Sequence, residues 1–243
     1  VNGNVLVPKA GERTPRSDDP GSRRIVGNLL QAFPAELPNL PRVTERHLNT
    51  NAPQEIENRE GFLRLDFKQG ENSDVTVRYS ITDYAEDPFE LVLGRYPQTD
   101  LRNQGLRSSW TYRFSPSAVG QFGFDFDRAT AALSLTEAYR NLFSPLGLGA
   151  QVPDVDFKGD SLQDLGPGTH FPRDRVQNRF QFYAGATKIT GRHSLKAGWG
   201  TARVQVNDLQ SDRSRGVLIF AADFGRSEIE NFLLGRPTQL NIT

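Results

Sequence analysis

The 243-residue sequence contains no cysteine and no methionine. The first absence excludes a disulfide framework and thiolate chemistry. The second accompanies a start, "VNGNVLVPKAGERTPRSDDPG", that lacks the basic n-region and apolar h-region of a secretory signal. Together these predict a segment of a longer protein, or else an excised mature chain. No run approaches the roughly 20 apolar residues of a membrane helix. Neither sign of charge is in excess, with 29 Lys and Arg against 29 Asp and Glu. Nucleic acid and other polyanions therefore have no electrostatic claim as partners. Histidine is scarce: His47, His170 and His193 stand far apart, without H-x-x-x-H or HExxH spacing. There is no P-loop and no G-x-S-x-G. "GWGTAR" (198–203) begins like a dinucleotide fingerprint but carries Arg203 where glycine is required. The expectation is a protein that is not an enzyme and uses no cofactor.

Alternation of residue type is what the sequence does have. In "QFGFDFDR" (121–128), Phe122, Phe124 and Phe126 fall on one face of a strand, and Asp125 and Asp127 on the other. "FLRLDFKQ" (62–69) sets Leu63, Leu65 and Phe67 against Arg64, Asp66 and Lys68. After the turn residues "GENS" (70–73), "DVTVRYSIT" (74–82) sets Val75, Val77, Tyr79 and Ile81 against Thr76, Arg78, Ser80 and Thr82. "LRSSWTYRF" (106–114) places Trp110, Tyr112 and Phe114 opposite Arg107, Thr111 and Arg113, then turns through "SPSA" (115–118). A third pair joins "NRFQFYAGATKI" (178–189) to "SLKAGWGTARVQV" (194–206) through "TGRH". Six strands of about 9–12 residues in three antiparallel hairpins follow from this reading.

The connections are unequal. The turns within hairpins have four residues, whereas residues 83–104 and roughly 129–177 join one hairpin to the next. Loops beyond about 12–15 residues are uncommon in compact domains. Here all the long ones fall at one end of the sheet, the asymmetry of outer-membrane barrels. The apolar face is rich in Phe, Trp, Tyr and Ala, and no amphipathic helix is evident to cover it. A bilayer serves such a face, with the polar face turned to a lumen. A soluble barrel or sandwich, such as a carbohydrate-binding module, is the alternative.

Candidate sites on this reading are the polar row Arg64, Asp66, Arg78, Arg107, Arg113, Asp125 and Asp127, and the loop aromatics Tyr84, Phe89 and Tyr96. The row admits two roles: a ladder of ion pairs that also contacts a plug, or a solute path of mixed charge. The aromatics admit substrate contact or ordinary loop packing. "DVDFKGDSLQD" (154–164) hints at a calcium loop, but position 12 is Leu165 where a bidentate Glu belongs, and Lys158 takes a ligand position. A solvated acidic loop is the plainer reading, and no metal site is assigned. His193, in a turn, is expected to hydrogen-bond backbone locally. Gly198 and Gly200 suit small lumen-side positions.

Several segments resemble the barrel region of TonB-dependent outer-membrane receptors, in particular the Oar-like receptors with a carboxypeptidase-regulatory-like N-terminal domain. They are "ERTPRSDDPGSRRIVGNLLQAFP" (12–34), "LNTNAP" (48–53), "VTVRYS" (75–80), "YRFSPSAVGQFGFDFDR" (112–128), "TGRHSLKAGWGTARVQ" (190–205) and "IENFLLGRP" (229–237). The resemblance implies a stretch of an antiparallel barrel of about 22 strands. Turns 70–73, 115–118 and 190–193 would be periplasmic. Residues 1–59 would be an outer loop segment and 60–243 a partial barrel of about six to eight strands, with 206–235 an outer loop. That loop would hold a small hairpin at Val217–Phe220 and a helix near Ser227–Leu234, and "PTQLNIT" would re-enter the membrane. Signal sequence, regulatory-like domain, TonB box, plug and closing strand have no counterpart, so this stretch alone would not close a pore. The implied setting is the bacterial outer membrane, with its lipid as one partner. The implied function is uptake of an unknown small or oligomeric solute, energised by TonB–ExbB–ExbD. Adhesion by an Oar-type surface protein is the rival.

Overall fold

The computed structural model describes residues 1–144, 153–168, 172–210 and 215–241. In chain order the elements begin with β1 (Asn2–Leu6), α1 (Pro20–Gln31), β2 (His47–Asn51), β3 (Glu55–Lys68), β4 (Ser73–Asp87) and β5 (Gln98–Ser115). They continue with β6 (Ala118–Ser134), α2 (Glu137–Phe143), β7 (Asp154–Phe157), β8 (Arg173–Thr190) and β9 (His193–Gln210). The last are β10 (Val217–Phe220), α3 (Glu228–Leu233) and β11 (Gln239–Asn241).

Six of the strands form one antiparallel sheet in the order β3-β4-β5-β6-β8-β9. They are the six that alternation marks, but they run to 14–18 residues. The extra length has a physical source. Beyond Leu63, Ile81 and Leu106 the strands continue in register, while the apolar signal stops. Arg59, Asp83 and Arg102 occupy one cross-strand row there.

Register makes both faces explicit, because paired residues share a face. One row reads Phe67, Val75, Trp110, Phe122, Ala184, Trp199 across the sheet. The next reads Leu65, Val77, Ser108, Phe124, Phe182, Thr201. On β5 the apolar band runs from Phe114 to Leu106, close to the roughly 9–11 residues a tilted strand needs to cross hydrocarbon. Rings pair across strands, Trp110 with Phe122 at 5.5 Å and Phe124 with Phe182 at 4.9 Å between centroids. Among the described residues no second layer covers this face: Phe114, Phe122, Phe182 and Trp199 are all exposed, the last at 65%.

The described parts of the long connections lie at the same end of the sheet and fold into a lobe with its own core. Every buried hydrophobic side chain among the described residues lies outside the six long strands. β1 pairs with β2, with Asn2 opposite Asn51 and Asn4 opposite Asn49. The helix α1 starts where Asp19 accepts from the Ser22 N–H at 2.7 Å, with Pro20 in its first turn. Its Val26, Leu29 and Leu30 are buried. An amphipathic helix is thus present, contrary to expectation, but its apolar stripe joins the lobe core and leaves the sheet bare. The rings of Phe157, Phe220 and Phe232 pack together at 5.1–5.9 Å.

The expected helix near Ser227–Leu234 is α3, capped reciprocally by Ser227 and Glu230. The expected local hairpin at Val217–Phe220 is not found. β10 instead pairs parallel to β7 and antiparallel to β11, making a three-stranded lobe sheet. Gln239–Asn241 therefore belongs to the lobe, where "PTQLNIT" was expected to re-enter the membrane. Sequence period could not reveal this, because the partners come from segments about 60 and 20 residues away.

Candidate functional site

The polar face brings the expected row together as paired charges. Arg64 holds Asp66 two residues along β3 at 2.8 Å, and Thr76 Oγ1 donates to Asp66 at 2.7 Å. Arg107 reaches Asp127 at 2.6 Å and Asp125 at 3.9 Å. Arg113 pairs with Asp74 and donates to the Glu71 carbonyl at 2.6 Å. Asp125 and Asp127 on β6 are thus both occupied by the Arg107 guanidinium. Arg64, Arg78 and Arg107 lie directly opposite one another on three adjacent strands. Arg78, the middle one, sits 5.2 Å above the exposed Phe62 ring, and no carboxylate reaches it among the described residues. Tyr183 lies over Gly123 in the row beside it, where any Cβ would overlap the phenol ring. That overlap accounts for the glycine inside "QFGFDFDR".

At the lobe end of the sheet the two faces carry different clefts. The register puts Arg59, Asp83 and Arg102 on the same side as the phenylalanines, but beyond the apolar band. With Glu57, Asp100 and Asp174 they line a cleft of about 390 Å³, in which Arg102 pairs with Asp83 at 2.5 Å. Tyr84 borders this cleft too. Its own hydroxyl donates to Glu86 at 2.6 Å, on the polar face.

The second cleft, of about 460 Å³, lies between the lobe and the polar-face ends of β3, β4 and β5. Gln54, Glu86 and Thr99 come from the strand ends. Asn4, Phe89, Arg95, Tyr96 and Gln163 come from the lobe. Of the expected aromatics, Phe89 and Tyr96 meet here, separated in sequence by the turn at Gly94. That turn is built on Glu90, which accepts from the N–H groups of Gly94 and Tyr96 at 3.0 Å each and from Thr136 Oγ1 at 3.3 Å. Gly94 has φ +86°, and a Cβ there would overlap the buried Tyr139 ring, so two constraints demand glycine. Burial pushes the Glu90 carboxyl above its ordinary range, against the opposing effect of its hydrogen bonds. Asp164, 3.6 Å from Arg95, is likewise pushed up by burial. The sequence reading did not reach Gln54, Glu86, Arg95 or Gln163. The Pro- and Asp-rich stretch "YAEDPFELVLGRYPQTD" (84–100) supports an ordered loop, but no pattern links it to residue 163.

The other candidates resolve into local structure. Asp154 accepts from the Gly168 N–H at 2.9 Å and Asp164 from the Phe157 N–H at 2.8 Å, while Asp156 faces Lys158 at 3.6 Å. Leu165, at the place a calcium loop needs Glu, is buried and pairs its backbone with Val155. Among the described residues no three potential metal ligands converge. His47 Nδ1 lies 2.8 Å from Thr44 Oγ1, and His193 opens β9. His170 lies outside the described residues.

A sheet exposing a ring-rich apolar band on one face and a charged ladder on the other, with turns short at one end and a folded lobe at the other, is a wall of a membrane barrel. The chain belongs to the family described as outer membrane beta barrel domain, whose model matches residues 7–243. Its place is accordingly the outer membrane. No curated protein and no solved structure matches it.

Proposed function

We propose that the chain is part of the barrel of a TonB-dependent receptor of the Oar-like kind. It captures a solute at the cell surface for energised uptake, and it is not an enzyme. In this reading the six strands belong to a barrel of about 22 strands. The band from Leu63 to Trp199 faces lipid. The ladder around Arg64, Asp66, Arg78, Arg107, Arg113, Asp125 and Asp127 lines the lumen and supplies polar contacts to a plug. TonB–ExbB–ExbD acts on that plug.

The observation that supports this most is the position of the 460 Å³ cleft, which opens at the outer end of the polar face and not of the apolar one. A solute held there stands at the head of the lumen. The test is uptake of radiolabelled solute by cells carrying the complete protein, with and without its TonB box. Uptake lost on deletion is the expected result, and uptake unchanged removes the transport reading.

The packed lobe supports adhesion as a second reading, because a core of its own makes it a rigid surface-exposed body. Cell attachment that persists without the TonB box, alongside unchanged uptake, favours that alternative.

A further inference from the structure

We propose that the cleft between the lobe and the outer ends of β3, β4 and β5 is a subsite for a neutral saccharide. This rests on the cell-surface capture proposed above and names the class of ligand captured. The volume, about 460 Å³, lies within the range of small-molecule sites. Its chemistry is of three kinds. Tyr96, 56% exposed, and the half-buried Phe89 offer ring surface, on which the C–H faces of a sugar ring stack. Around them stand neutral hydrogen-bonding groups without a protein partner among the described residues. These are the Gln163 side-chain amide, the Thr99 hydroxyl, Asn4 Nδ2 and Gln54 Oε1. Groups so placed are a cost to a hydrocarbon ligand and an asset to a polyol.

The charged side chains in the cleft already have protein partners. Both Glu86 oxygens accept, one from Tyr84 and one from Gln54 Nε2 at 2.9 Å, and Arg95 faces Asp164 at 3.6 Å. One acid and one base leave little net field for an ionic ligand.

A second observation points the same way. The side chains of Asn2, Asn4, Asn49 and Asn51 form one amide strip on the β1–β2 ribbon. In it Asn2 Nδ2 donates to Asn49 at 3.0 Å and to Asn51 at 3.2 Å, and Asn49 Nδ2 donates to Asn4 at 2.8 Å. Asn2, Asn4 and Asn51 are exposed and Asn49 is half-buried, and the strip leads away from the cleft at Asn4. A saccharide longer than the cleft would continue along it, hydroxyl against amide.

The experiment uses the complete membrane protein, purified in detergent, on an array of neutral glycans covering linear glucans, mannans, xylans and galactans. Calorimetry follows on the best binder. Tyr96→Ala is expected to weaken binding by about tenfold or more, and Gln163→Ala by about three- to tenfold. Raising the salt is expected to leave Kd within about twofold, since no ion pair forms. Both positions lie outside the core, and heat-modifiable migration checks that each variant still folds. The proposal is overturned if no glycan on the array binds, if binding ignores both substitutions, or if a peptide or charged solute binds in a Tyr96-dependent way while glycans do not. The receptor reading fails separately: glycan binding with uptake indifferent to the TonB box keeps this subsite and removes the transporter. TonB-box-dependent uptake of a solute that is no saccharide, with no glycan bound, does the reverse.

Discussion

Phe124 lies in the middle apolar row, with Val77 and Ser108 on one side and the Phe182 ring 4.9 Å away on the other. Its neighbour Asp125 faces the other way, 3.9 Å from an Arg107 whose closer partner is Asp127 at 2.6 Å. The two positions should respond oppositely to polarity. Phe124→Arg puts an unpaired charge where hydrocarbon is expected and should cost about 2–4 kcal/mol near the bilayer midplane. Asp125→Asn leaves Arg107 its closer carboxylate, and a partly exposed pair as long as 3.9 Å contributes little, about 0–1 kcal/mol. Denaturant titration of the complete protein in lipid vesicles checks the ranking, and a larger loss for Asp125→Asn would reverse the assignment of faces. This division was legible from "QFGFDFDR" alone, because strand period is a property of neighbours in sequence. The role of Gly123 was not, since the Tyr183 ring that requires it arrives from β8.

At the scale of elements, what could be read in advance divides by distance along the chain. The six strands and their hairpins follow from period and turn residues, signals within about ten residues, whereas α3 was expected only from the family resemblance. The pairing of β10 with β7 and β11, and the meeting of residues 54, 86, 96 and 163 in one cleft, depend on closures that leave no local trace. Strand length was underestimated for a different reason: the pairing outlasts the apolar pattern where the sheet leaves hydrocarbon.

The loop between β4 and β5 permits a sharper test. Glu90 holds it, and burial raises the folded-state pKa above the ordinary 4.5. The folded state therefore keeps its proton to higher pH than the unfolded chain. This contribution to stability is complete below 4.5 and is lost as pH rises through the raised value. Burial of Asp154 and Asp164 acts with the same sign from 3.8 upward. Glu12 opposes them at the acid end. The hydrogen bond from Arg46 lowers its pKa, so its contribution is present above 4.5 and lost as pH falls. Glu90→Gln keeps an acceptor for Gly94 and Tyr96, since both bonds go to one oxygen, Oε1. Hydrogen exchange across residues 88–97 between about pH 4 and 7 should show protection falling with pH, and a flatter fall in the variant. An unchanged slope in the variant would remove Glu90 from the account.

The whole molecule combines a wall without a core and a core without a wall. The lobe buries its own hydrophobic residues, while the six-stranded sheet buries almost none and leaves β3 and β9 as open edges. Lipid does not tolerate such edges, so both require further strands alongside them. Lipid should also impose a depth limit on the alternation, and that limit can be measured. Because the chain has no cysteine, each introduced thiol is the sole native-sequence labelling site in this region. Spin labels at Leu65, Phe124 and Phe182 should be accessible to oxygen and shielded from a nickel chelate. Labels at Ser109 and Gln181, one residue off in parity, should show weaker oxygen access. Labels at Asp83 and Arg102 share the parity of Phe124 but stand beyond Ile81 and Gln104, so the nickel chelate should reach them. Oxygen-dominated access at Asp83 would mean the bilayer extends to the lobe, and the 390 Å³ outer-face cleft would then hold its charges in hydrocarbon. Nickel access at Phe124 would mean the ring-rich face meets water. The arrangement described here requires oxygen at Phe124 and nickel at Asp83 in the same protein, with the change falling at the row of Gly61, Ile81 and Gln104.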